Sequence, residues 1–240
     1  SDLNKKDLYK IINRAKKLKE NRGKKSKKTL ERINLAMIFE KPSTRTRVSF
    51  EIAIKELGGE AIILDESNTH LSRGETIADT ARVLERYCQI FMIRTTNHKK
   101  LLDYDYNSKV PIINGLSNLS HPCQILADIL TFEEKKGKIC NSTISWFGDL
   151  NNVLYSWVEA SNIFGFKLKI AHPKEIKKNA NLIKIIKNKP NIRFTHNTLE
   201  AANNSDCIIT DTWFSMGKKP TQKLLKAFKP YQVNQKIMRI

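Results

Sequence analysis

Apolar residues along this chain switch repeatedly between helical spacing and short continuous runs. Leu8, Ile11, Ile12, Ala15 and Leu18 recur every three or four positions, which predicts an opening amphipathic helix. Residues 33–39 then form an unbroken β-prone run, as expected of a strand buried on both faces. A polar turn leads into a helix over residues 44–57, closed by Gly58 and Gly59. The cycle continues with strand 61–64, a polar loop 65–75, helix 77–86, strand 90–93, a short helix near His98 and strand 110–113. A longer helix over 122–136 carries proline in its first turn. In the second half, strands 142–147, 167–170, 192–195 and 207–210 alternate with helices 152–164 and 176–187 and a short helix near Leu199. Helices over 221–227 and 233–238 close the pattern.

Strict strand–helix alternation predicts an α/β fold of two domains, each a parallel sheet flanked by helices. Four strands lie on either side of residues 133–138, which divides the chain into domains 1–134 and 135–240. Ligands in such sheets bind beyond the carboxyl ends of the strands. Chemistry is therefore expected just after each strand.

Composition narrows the partners. The 240 residues are 40% hydrophobic, enough for a sizeable core, and the net charge of +19 favours anionic ligands. Ten of the basic residues lie between Arg14 and Arg32, against two acids. A nucleic-acid patch is one reading of that stretch. Lysine dominates it, however, no aromatic is interleaved and no nucleic-acid motif surrounds it, so it reads as a solvated helix face and loop. The longest apolar run, Leu35 to Phe39, is far short of the roughly 20 residues of a membrane span, and the lysine-rich start is unlike a signal peptide. Neither nucleic acid nor membrane is expected as a partner. Cys88, Cys123, Cys140 and Cys207 form no C-x-x-C pair and read as reduced thiols in a cytoplasmic compartment.

The densest chemistry is Glu40-Lys41-Pro42-Ser43-Thr44-Arg45-Thr46-Arg47, between a buried strand and a helix start. Ser43 or Thr44 is a natural N-cap, and several backbone N–H groups of the first turn point outward there. Arginines at this positive end of the helix dipole are unfavourable by themselves. A bound phosphate reverses that sign, because dipole, N–H groups, hydroxyls and guanidinium then converge on it. No G-x-x-x-x-G-K is present, so this is not a P-loop. Arg94 directly follows strand 90–93, and His121-Pro122-Cys123-Gln124 opens the next long helix with an imidazole and a carboxamide. A lone histidine is usually structural, and the His121–Cys123 spacing is a weak metal signal with no further ligands to complete it. In the second half Gly148-Asp149-Leu150-Asn151-Asn152 follows a strand but lacks G-x-G-x-x-G, which argues against a dinucleotide. Asp211, after the last strand, can orient an α-ammonium, with Ser215 adding a hydroxyl and Met216 a soft wall, but taken alone this loop reads as a turn with an ordinary aspartate.

On these residues the chain resembles the aspartate/ornithine transcarbamylase family, its ornithine carbamoyltransferases in particular. The family's S-x-R-T-R motif stands as Ser43 to Arg47 and its H-P-x-Q motif as His121 to Gln124, while Gly148 to Asn152, G-D-L-N-N, is similar to its G-D-x-x-N-N motif with one residue fewer. The loop Asp211-Thr212-Trp213-Phe214-Ser215-Met216-Gly217 is similar to the D-x-W-x-S-M-G loop of the ornithine enzymes. The resemblance implies transfer of the carbamoyl group of carbamoyl phosphate to the δ-amine of L-ornithine, giving L-citrulline and phosphate in arginine metabolism, without metal or organic cofactor. It assigns Ser43, Thr44, Arg45, Thr46, His70, Arg94, His121, Pro122, Cys123 and Gln124 to carbamoyl phosphate. Among these Arg45, Arg94, His121 and Gln124 are catalytic, surrounding the carbonyl oxygen. It assigns Asn152, Asp211, Ser215 and Met216 to ornithine. A homotrimer follows from the same resemblance, with His70 reaching a neighbouring subunit's site. Arg47, two residues from Arg45 on a helix, faces away from it and is a candidate for a structural ion pair.

The family continues with a strand bearing H-C-L-P and a helix that packs back on the first domain, and this chain reaches Ile240 before both. The expectation is therefore a complete carbamoyl phosphate half-site and an incomplete ornithine half-site, with binding but poor turnover. Two other readings stay open at this point: a sibling transcarbamylase taking another amine, and an inactive carbamoyl-phosphate-binding protein.

Overall fold

The structure is a computed structural model that describes residues 3–24, 28–70, 74–214 and 221–240. It contains two four-stranded sheets, every pairing parallel. The first has the order β2-β1-β3-β4, from β1 (Asn34–Phe39), β2 (Glu60–Asp65), β3 (Ile90–Arg94) and β4 (Ile112–Leu116). The second has the order β7-β6-β5-β8, from β5 (Thr143–Phe147), β6 (Lys167–Ala171), β7 (Ile192–Thr195) and β8 (Cys207–Thr210). Helices α1 (Lys5–Glu20), α2 (Thr44–Glu56), α3 (Ile77–Leu84), α4 (His98–Asn107) and α5 (Pro122–Lys136) accompany the first four strands. Helices α6 (Asn152–Phe164), α7 (Ala180–Ile186), α8 (Thr198–Ala202), α9 (Gln222–Phe228) and α10 (Gln235–Met238) accompany the rest. The expected α/β architecture of two parallel sheets is what the chain adopts. Among the described residues no helix is long and apolar enough to cross a membrane.

Strand β1 shows how the first sheet is covered. Side chains alternate across a strand, so Leu35, Met37 and Phe39 pack with Ile54 and Phe50 of α2. Ala36 and Ile38 point the other way, into a cluster with Ala81 of α3 and Tyr104 of α4. That two-sided burial explains the unbroken apolar run in the sequence. Helix α2 then ends in paired reverse-turn bonds: Gly58 N–H donates to the Lys55 carbonyl at 3.0 Å and Gly59 N–H to the Ile54 carbonyl at 2.9 Å. Gly58 has φ +93°, a conformation that suits glycine, as the sequence signal implied.

Packing divides the chain differently from its order. One compact unit is Lys17–Cys123; the other joins Ser1–Lys16 to Gln124–Ile240. Leu8 and Ile12 of α1, with Ile125, Ile129 and Phe132 of α5, bury in one cluster with Ile144, Trp146 and Trp157. Both helices thus spend their apolar faces on the second sheet, although most of each precedes residue 134.

Three elements depart from the expected bounds for local reasons. Strand β4 starts after Pro111, which has no N–H for the ladder, and runs on to Leu116 through a register shift opposite Ile93 and Arg94. Helix α7 starts at Ala180, where the Asn179 side chain accepts the Leu182 N–H at 2.8 Å. Helix α4 is longer than the short turn expected near His98, because Leu101 and Tyr104 both bury.

Two predictions follow from the packing. A Cβ on Gly59 would lie 2.6 Å from the Ile33 carbonyl oxygen and 2.9 Å from that of Leu30, backbone atoms that cannot swing aside. Gly59→Ala is expected to lower unfolding stability by about 1–3 kcal/mol, read as a lower denaturant midpoint. Beyond β6, His172 is buried, and desolvation first of all brings its pKa down to about 4 from 6.5, despite its Nδ1–H donating to the Pro173 carbonyl at 2.9 Å. Between pH 6.5 and 4 the unfolded chain therefore binds a proton that the native ring refuses, so stability falls as pH drops through that window. Thermal melts across this range should show that slope, and His172→Phe should flatten it.

Candidate active site

The first half-site gathers at the carboxyl ends of β1 and β3 and the amino end of α2. Ser43 occupies the N-cap position with extended φ/ψ of −152° and 101°, yet its side chain accepts none of the first-turn N–H groups. Its hydroxyl donates instead to Thr46 Oγ1 at 3.1 Å. The amino end of α2 is therefore left with donors for some other acceptor. Thr44 and Arg45 are exposed on that first turn, while Thr46 is buried beneath it.

Arg94 reaches this point from the tip of β3, where the register shift against β4 falls between Ile93 and Arg94. Such irregularities re-aim a side chain. Its Nη1 donates to Thr46 Oγ1 at 3.0 Å, and its buried Nε has no hydrogen-bond partner among the described residues. Burial first, then the charge of Arg45, lowers the Arg94 pKa. A guanidinium destabilised by both causes and left with an unpaired N–H is the electrostatic signature of an anion site.

The turn ahead of α5 is fixed by its own hydrogen bonds. Asn114 Nδ2 donates to Ser120 Oγ at 2.9 Å, and Thr95 N–H donates to the Leu116 carbonyl at 2.9 Å. His121 and Pro122 are half-buried there. The Cys123 thiol donates to the Asn114 carbonyl at 3.5 Å, and burial raises its pKa, so this side chain is a neutral clip on the turn.

A second half-site lies in the other unit. Asn151 caps α6, its Oδ1 accepting the N–H groups of Val153 and Leu154 at 3.0 and 3.1 Å. Its Nδ2 donates to Asp211 Oδ2 at 2.9 Å, orienting the carboxylate beyond β8. Asn152, the first residue of α6, adjoins this cap. Trp213 stacks on Phe228 at 5.8 Å and Phe214 meets the same ring edge-on at 5.7 Å, which anchors the start of the Asp211 loop to α9. Gln124 opens the α5 segment of this unit, and Asp128 lies four residues on. Burial first raises the Asp128 pKa, Gln124 lowers it through a hydrogen bond, and Asp211 raises it again. Gln124, Asp128, Asp211 and Asn151 thus form one electrostatic group.

Not every expected residue joins these groups. His70 is exposed, its Nδ1 3.5 Å from Glu75 Oε2. Arg47 is exposed and forms no ion pair among the described residues. Ser215 and Met216 lie outside the described residues. Three polar residues around these sites carried no role in the sequence reading: Asn151, Asp128 and Glu40. Each had a usable signal, namely a cap position before a helix, helical i+4 spacing from Gln124, and the next outward step beyond Ile38 on β1.

Family models match nearly the whole chain. The aspartate/ornithine carbamoyltransferase carbamoyl-P binding domain matches residues 1–134, and the Asp/Orn binding domain of the same family matches residues 140–240. An ornithine carbamoyltransferase of Rhodopseudomonas palustris is 49% identical over 225 residues, spanning 93% of this chain and 73% of the relative. One from Nitrobacter winogradskyi is 45% identical over 242 residues, 100% of this chain and 79% of the relative. The solved ornithine carbamoyltransferase from Pyrococcus furiosus superimposes with a TM-score of 0.92 at 41% identity, covering 99% of this chain and 78% of that one. With this likeness in both halves, and an anion-poised arginine pair where the carbamoyl-P domain is matched, the chain belongs to the aspartate/ornithine carbamoyltransferase family.

Proposed function

We propose that this chain transfers the carbamoyl group of carbamoyl phosphate to the δ-amine of L-ornithine, giving L-citrulline and phosphate. The observation that carries the reading is Arg94, whose half-buried guanidinium keeps an N–H beside Arg45 that is unpaired among the described residues. The phosphate dianion supplies what that arrangement lacks. Ser43, Thr44, Arg45 and Thr46, with the backbone N–H groups of the first turn of α2, hold it. Arg45, Arg94, His121 and Gln124 donate to the carbamoyl oxygen, and Pro122 and Cys123 shape the turn that presents His121.

The neutral δ-amine attacks the carbamoyl carbon with its lone pair. Negative charge develops on the carbonyl oxygen in the tetrahedral species, where the donors stabilise it. The C–O bond to phosphate then breaks, phosphate leaves with the electron pair, and the amine loses a proton. Each preorganised donor of this kind supplies ~3–4 kcal/mol, and orienting the two reactants contributes ~7–11 kcal/mol. Asp211, held by Asn151, takes the α-ammonium of ornithine, with Asn152, Ser215 and Met216 completing its contacts. The names of the relatives favour ornithine over aspartate or another amine. The direct test is a product assay: carbamoyl phosphate with L-ornithine is expected to yield citrulline, and L-aspartate in its place to yield no carbamoyl product.

We also infer a cytoplasmic homotrimer acting in arginine metabolism, with His70 presented to a neighbouring subunit. The 76% exposure of the His70 side chain supports that presentation. Light scattering should give three times the chain mass of 27.7 kDa; a monomer at high concentration would refute the trimer. Arg45→Ala is expected to keep the fold and to weaken carbamoyl phosphate binding by roughly 1.5–3 kcal/mol, the cost of one charged hydrogen bond. Calorimetric affinity equal to the parent's would remove Arg45 from the site.

A further inference from the structure

We propose that Glu40 is a positioning residue for the phosphate site, holding Arg94 in register through the Thr95–Thr96 peptide. The proposal rests on the reading of Arg94 as a carbamoyl phosphate ligand. It begins with strand alternation. On the α3–α4 side of the first sheet the inward row is Ala36 and Ile38 on β1, Leu64 on β2 and Phe91 and Ile93 on β3. One step beyond each apolar row lies a polar residue: Glu40, Glu66 and Thr95. Ile38 pairs with both Leu64 and Ile93, so these three tips are lateral neighbours. Arg94, one residue out of phase with Thr95, projects to the opposite side, where Thr46 receives it.

Glu40 grips the residues around Arg94 with both backbone and side chain. Its N–H donates to the Arg94 carbonyl at 3.0 Å. Its carboxylate accepts the Thr95 hydroxyl at 2.7 Å and also the Thr96 backbone N–H. Two neighbouring carboxylates, Glu40 and Glu66, would repel each other across the sheet. Lys100, from the first turn of α4, sits between them, its Nζ 3.2 Å from Glu40 Oε1 and 3.0 Å from Glu66 Oε1. The arrangement keeps Glu40 ionised: burial opposes the charge, but the bonds from Thr96, Thr95 and Lys100 outweigh it and bring the pKa to about 2. Glu40, Glu66, Thr95 and Lys100 line one cavity of about 210 Å³ on the α3–α4 side of this sheet end.

The Thr95 hydroxyl and the Thr96 N–H share one carboxylate oxygen, Oε2, which a carboxamide would reproduce, whereas the thioether of methionine has similar volume and offers neither donor a comparable acceptor. Glu40→Met therefore keeps the volume and breaks the grip. Carbamoyl phosphate affinity is expected to fall roughly tenfold to a hundredfold, the loss typical of one hydrogen bond to a charged group. Because Glu40 acts through Arg94, the loss should shrink below about twofold when the same change is made in an Arg94→Ala chain. The Thr96 amide should exchange its hydrogen faster in Glu40→Met. Affinity equal to the parent's, equal losses in the two backgrounds, or unchanged Thr96 exchange would each overturn the positioning role. Undiminished binding by Arg94→Ala alone would instead overturn the phosphate-site reading, and the proposal with it.

Discussion

A half-buried guanidinium with one N–H unpaired, standing in the field of a second arginine, is costly in the absence of an anion. Desolvation penalises the charge, the neighbour of like sign adds to the penalty, and the unpaired donor forfeits a hydrogen bond. Arg94 and Arg45 carry that cost at the tip of β3 and the first turn of α2. Much of the surrounding structure exists to keep them there. The parallel register places β1 and β3 side by side up to Phe39 and Arg94, and the closed end of α2 at Gly58 and Gly59 fixes the helix whose other end carries Arg45. Ser43 forgoes a conventional cap, so that the helix end keeps its donors.

The second unit solves a complementary problem. Asp211 is a carboxylate at a strand tip, and it is oriented by an asparagine that also caps the adjacent helix. One side chain thereby links the start of α6 to the end of β8, neighbouring segments because β5 and β8 pair. Two aromatic contacts onto Phe228 tie Trp213 and Phe214, just beyond Asp211, to α9.

The succession of strands and helices along the chain and the cluster from Ser43 to Arg47 were legible in the sequence because each depends on local pattern: apolar period, cap residues, paired glycines. The bounds of β4 were less so, since Pro111 and the register shift at Arg94 become visible only when β3 lies beside it. The division into packed units was also hidden, because the apolar stripe of α1 reports that the helix is buried and not which sheet buries it. Glu40 is the sharpest case. Its sequence neighbours suggest a charged loop residue, and its hydrogen bonds reach 55 and 56 positions along the chain, to Thr95 and Thr96. Spacing along one strand says nothing about such partners.

Thr46 holds a last consequence. Its oxygen accepts from Arg94 and from Ser43, which occupies both lone pairs and leaves its own hydrogen to be given away. Guanidinium and backbone N–H groups likewise offer only hydrogens. A phosphoryl oxygen that still carries its proton meets few partners on this wall, whereas a fully ionised one meets many. The cradle we propose therefore discriminates by protonation state, sampling the dianion of its ligand and passing over the monoanion, so that ligand ionisation rather than any group of the protein would set the acid limit of capture.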